Sequence, residues 1–103
     1  MTTNKTTPEA TMDKNITITY KAFAPHGDVT DLSFVLNVDE ATSDKEICET
    51  IFRETNLYAG TIWDRIEPLL PEGRTHTALS VGDEVTIDDK TFRCENIGFE
   101  KQA

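Results

Sequence analysis

The sequence predicts an α+β fold, a small and mostly antiparallel sheet in the order β-β-α-α-β-β with helices packed on one face. Three observations lead there. Apolar and polar residues alternate near both ends of the chain, the period of a half-buried strand. The stretch between them carries a helical apolar stripe behind a capping signal. Strands on both sides of a helical centre close most simply into one sheet covered on one side. At 103 residues the chain fits one domain.

Residues 1–14 are rich in Thr, with Asn, Lys and Pro and no hydrophobic period. They read as a disordered tail ahead of a single domain over 15–103. Ile16, Ile18, Tyr20 and Ala22 alternate with Thr17, Thr19 and Lys21, which predicts the first strand. Residues 25–28, Pro-His-Gly-Asp, break it. Leu32, Phe34, Leu36 and Val38 form the second alternation, so the pair is expected as a hairpin with a long connection.

Ser43 followed three residues later by Glu46 is a capping box, and Asp44 lies in the positive first turn. Ile47, Cys48, Ile51, Phe52 and Thr55 share one stripe, predicting a helix over 44–55. Asn56 is a terminator and Gly60 a turn. Thr61 is then the expected cap of a shorter helix holding Ile62, Trp63 and Ile66, which Pro68 stops or kinks near Glu67.

Val85 and Ile87, then Phe92 and Cys94, predict a closing hairpin. With Asp89 and Lys90 as a two-residue turn, Ile87 opposes Phe92 and Val85 opposes Cys94. One place back, Ile87 would oppose Lys90. Apolar pairing favours the first register. Ile97, Gly98 and Phe99 extend or follow the last strand.

Charge is the strongest compositional feature, with 19 acids against 10 bases and a net charge of −9. Within residues 1–14, Glu9 and Asp13 cancel Lys5 and Lys14, so the excess belongs to the folded part. Such a field repels phosphates, which argues against direct DNA or RNA binding and for a protein partner with a basic surface. Solubility alone accounts for acidity equally well. The acids cluster, six against two bases over 39–54 and five against two over 83–95. If these stretches adjoin, they present a face that imitates a nucleic-acid backbone. Glu46, Glu49, Glu54, Asp83 and Glu84 are its candidate contacts. Tyr58 and Trp63 are either anchors in that interface or, as the spacing favours, packing for the short helix.

Catalytic motifs are missing. The chain has no Gly-rich phosphate loop, no GxSxG, no HExxH and no CxxC. His26, His76, Cys48 and Cys94 sit at no ligand-pair spacing, so neither metal nor cofactor is expected. Both cysteines lie in apolar patterns and read as small core residues, kept reduced in an expected cytoplasmic setting, with a Cys48–Cys94 bridge as the alternative. No run of about 18 apolar residues occurs, so no membrane helix is expected. The first residues lack the apolar segment of a secretory signal. The expectation is a non-enzymatic accessory protein that binds another protein. The alternative is a small ligand-binding or enzymatic domain using the loop 71–80, with Arg74, His76 and Ser80.

Residues 73–100 carry one further pattern. A Thr-bearing lead at Thr77 precedes Leu79, Ser80, Val81, Gly82, Asp83 and Val85, followed by Phe92, Cys94 and the closing pair Gly98 and Phe99. This segment, about a quarter of the chain, resembles the C-terminal part of YodL-like domains. Such domains occur in proteins of phages, plasmids and conjugative elements, often beside anti-restriction and DNA-processing modules. The resemblance implies a mobile-element setting and, with the acidic surface, an inhibitor of a host nucleic-acid-processing or defence complex of the anti-CRISPR or anti-restriction type. Asp83 reads here as an acceptor for turn amides.

Overall fold

A computed structural model describes residues 10–21, 30–71 and 78–102. The first strand, β1 (Thr11–Tyr20), pairs antiparallel with β2 (Thr30–Asp39) along its whole length. Helices α1 (Asp44–Leu57) and α2 (Thr61–Ile66) follow, then a 3-10 turn over Glu67–Leu69. Three shorter strands close the chain: β3 (Glu84–Ile87), β4 (Lys90–Cys94) and β5 (Phe99–Lys101). They join in one antiparallel sheet ordered β2-β1-β3-β4-β5. The fold is α+β, with a fifth strand beyond the four expected.

Alternation decides which face is buried. Ile16, Ile18 and Tyr20 of β1 are buried with Leu32 and Phe34 of β2, Val85 and Ile87 of β3, Phe92 and Cys94 of β4, and Phe99. From the helices, Ile47, Cys48, Ile51, Ile62, Trp63 and Ile66 complete the same core. Arg65 of α2 lies over the Phe34 ring, 5.6 Å from its centroid. The opposite parity carries polar side chains. Ser33, Thr17, Thr86 and Thr91 stand side by side across four strands, with hydroxyl contacts Thr17–Ser33 at 3.0 Å and Thr86–Thr91 at 2.9 Å.

The expected tail is too long. Thr11 pairs with Asp39 and Lys14 with Leu36, so residues 11–14 belong to β1. They lack apolar alternation because this end of the ribbon runs past β3, which pairs only with 16–19. Residues 1–9, the break at 25–28 and Ala22 lie outside the described residues.

The final hairpin takes the other register. Val85 opposes Phe92 and Ile87 opposes Lys90. The two registers differ by two positions, so both turn the same four apolar side chains inward and apolar pairing cannot choose between them. Turn chemistry does. Asp88 adopts a left-handed φ of 55°, a conformation aspartate tolerates better than most residues. Its N–H donates to Asn15 O at 2.8 Å, and its carboxylate accepts from Asn15 N–H at 3.0 Å. The turn is thereby clipped to β1.

Helix α1 begins as expected. Glu46 N–H donates to Ser43 Oγ at 3.1 Å, and Ser43 N–H donates to Glu46 Oε1 at 3.0 Å. Asp44 accepts from Lys14 at 3.1 Å and meets Lys90 at 3.8 Å, tying the helix start to β1 and β4. The helix ends at Tyr58, not Asn56. Tyr58 takes φ 55° and ψ 41°, and its N–H donates to Glu54 O. Helix α2 starts from Gly60, so Thr61 is its first residue and not its cap. It stops at Ile66, ahead of Pro68.

Candidate functional site

Lys45, Glu49 and Phe52 are spaced i, i+4, i+7 and so share one face of α1. Across from that face lie β4, β5 and the turn between them. Gly98 forms the turn with a φ of 69°, and Glu95 N–H closes it on Gly98 O at 2.9 Å. This leaves Ile97 at the tip, 94% exposed.

Between helix and turn is a cavity of about 280 Å³. Glu49 and Phe52 line it from α1, and Cys94, Glu95, Gly98 and Phe99 from the opposite side. Phe52 meets Phe99 edge to face at 6.3 Å, forming an apolar floor. A wider depression of about 710 Å³ shares Glu95, Asn96 and Phe99 with this cavity and is bordered also by Lys45, Ile97, Glu100 and Lys101. Among the described residues, Glu49 and Glu95 are the charged ones lining the smaller cavity. One acid from each of the stretches 39–54 and 83–95 therefore lines this cavity.

The thiols are poor nucleophiles. Burial pushes Cys48 up to about 12, with the carboxylates of Asp44 and Glu49 adding to the rise. Cys94 is also raised, by burial first and then by Asp83 and Glu95. Both cysteines are free. Among the described residues no three His, Cys, Asp or Glu side chains are grouped to hold a metal ion. The groove offers shape, apolar surface and charge.

The expected contact residues scatter. Glu49 lines the groove, and Glu46 is exposed on the same helix while serving the capping box. Glu54, expected at the contact surface, is internal instead. It is 9% exposed, and its Oε1 accepts from Ile62 N–H at 2.8 Å and Trp63 N–H at 3.0 Å. Gly60 has no side chain to cap α2, so a carboxylate from the preceding helix does so. Asp83 is likewise internal, 1% exposed. It accepts from Lys21 N–H at 2.8 Å and Ser80 N–H at 2.9 Å, which makes it a structural acceptor. Glu84 is paired with Lys21 at 2.8 Å. Trp63 is 6% exposed and packs in the core, with Tyr58 edge-on to it at 5.5 Å. Tyr58 itself is 56% exposed. Arg74 and His76 lie outside the described residues.

Sequence reading missed Lys45, Glu95, Ile97 and Lys101. The helical spacing Lys45–Glu49–Phe52 was the available signal, but its significance depends on β5, which no alternation announces. Among the described residues no helix is long and apolar enough to cross a membrane. A scan against protein-family models, a search of curated proteins and a search of solved structures each return no match.

Proposed function

We propose that the protein is a non-enzymatic accessory protein that acts by binding another protein with a basic surface. The observation that supports this reading is the meeting of Glu49 and Glu95 in one groove, one acid from each of the two acidic stretches, beside an exposed isoleucine. Glu49, without an ion pair among the described residues and set beside an apolar floor, suits a cationic group of the partner, because charge steers encounter and apolar contact retains it. In this reading the helices cover one face of the sheet and the contact surface runs along the outer side of α1. The YodL-like pattern adds a mobile-element setting, and with it inhibition of a host nucleic-acid-processing or defence complex.

Contact along α1 is tested by reversing Glu49 and Glu95 to lysine while neutralising Glu46 as glutamine, which keeps the capping bond. Reversal at Glu54 would instead break the α2 cap. The variant is expected to fold like the parent and to lose at least about tenfold in affinity for the partner, the size of one or two desolvated charge pairs. Unchanged affinity would place the contact elsewhere.

A further inference from the structure

We propose that the groove between α1 and β5 receives an extended peptide segment of another protein, which adds to β5 as a sixth, antiparallel strand. The proposal rests on the reading of the protein as one that binds another protein, and it names the site and the recognised pattern.

Among the described residues strand β5 is an edge of the sheet. Glu95 N–H bonds Gly98 O, and Gln102 N–H bonds Thr91 O, so residues 98, 100 and 102 face β4 with their backbone groups. The N–H and C=O groups of Phe99 and Lys101 point the other way, and no described residue bonds them. An exposed row of this kind is a template for a further strand. Phe99 and Lys101 share a parity, and both border the groove with Lys45.

Charge complementarity defines the occupant. Lys45, Glu49 and Lys101 form no ion pair among the described residues, whereas Glu95 and Glu100 are both met by Arg93. Lys45 and Lys101 together suit an acidic side chain, Glu49 a basic one, and Phe52 over Phe99 an apolar one. Lys45 and Glu49 are separated by about 6 Å along the helix, close to the roughly 6.7 Å between alternate residues of a strand. Phe52 follows about 4.5 Å further on. Helix α1 starts at Asp44, 3.8 Å from Lys90, next to the Thr91 that Gln102 bonds at the far end of β5, and reaches Phe52 against Phe99 at the near end, so it runs antiparallel to β5. A strand antiparallel to β5 runs with α1, so its helix-facing residues read acidic-x-basic-x-apolar.

Residues 1–9 contain no such run. The chain's own match, Asp88-x-Lys90-x-Phe92, is closed within the β3–β4 hairpin with Phe92 buried. A partner segment is therefore the occupant.

The test titrates the full chain, labelled with nitrogen-15, with the end-blocked peptide Thr-Glu-Thr-Lys-Thr-Leu-Thr. Saturable amide shifts centred on Phe99 and Lys101 are expected, with a Kd below about 1 mM. A peptide with Glu and Lys exchanged should bind at least about tenfold more weakly, and the double variant Lys45→Glu, Glu49→Lys should reverse that preference. Both substituted positions are exposed, so the variant retains the fold. Shifts elsewhere, equal affinity for both peptides, or a dimer by light scattering that leaves the peptide without effect would overturn the proposal, the last in favour of a second copy. Loss of peptide binding alongside intact, salt-sensitive capture of a basic protein would remove the groove and leave the broader reading standing.

Discussion

The carboxylate of Glu54 fills the space that a β-carbon on Gly60 would need. Gly60 also holds a φ of 124°, which L side chains rarely adopt. The close approach lets Glu54 reach the first N–H groups of α2, so cap and glycine depend on each other.

Gly60→Ala should therefore lower the unfolding free energy by about 2–4 kcal/mol, from backbone strain and collision. Glu54→Ala should cost about 1–2 kcal/mol through loss of the cap. The double variant should cost less than the sum, because removing the carboxylate makes room for the new methyl. Urea denaturation of the four proteins measures this. Strict additivity would contradict the packing described.

Asp83 joins the end of β1 to the loop ahead of β3 through Lys21 N–H and Ser80 N–H. Replacing it with alanine leaves two half-buried donors without their acceptor, an expected loss of about 1–2 kcal/mol. Asparagine keeps one acceptor oxygen and should lose less. A binding assay on the folded Asp83→Asn variant should show parental affinity, since this carboxylate faces inward.

The buried thiols make the protein sensitive to alkali. Cys48 ionises near 12 in the fold, above the roughly 8.5 of an exposed thiol. Its contribution to stability is complete below the unfolded value and is lost as pH rises through the folded one. Between about pH 8.5 and 12 the unfolded chain releases a proton that the native chain keeps, so stability should fall by up to about 1.4 kcal/mol per pH unit for this group. Cys94 shifts the same way. Thermal melts from pH 7 to 10 should show a decline that Cys48→Ala makes shallower. At pH 8, Ellman's reagent should label neither cysteine until denaturant is added.

Local signals carried much of the fold. The Ser43–Glu46 capping box, the α1 stripe and the alternation of β1 and β2 are short-range patterns, and each appears where the residues place it. What escaped reading depends on partners distant in the chain. Thr11 to Lys14 form a strand because 36–39 pair with them, and β5 exists because β4 offers an edge. The hairpin register turned on a bond between Asp88 and Asn15, which apolar parity does not encode. For the site, composition alone could not separate surface carboxylates from buried ones. Glu49 faces the groove, while Glu54, five residues later, turns inward to cap a helix that lacks a cap of its own.

The salt dependence of partner capture tests the proposed role most directly. The immobilised protein would be presented with host extract, and the bound proteins identified at rising sodium chloride from about 0.05 to 0.5 M, a range over which the screening length falls severalfold. The account predicts one dominant basic partner whose retention drops at least about tenfold across that range and is abolished by the Glu49→Lys, Glu95→Lys variant. Retention that ignores salt, or that survives both charge reversals, would contradict it.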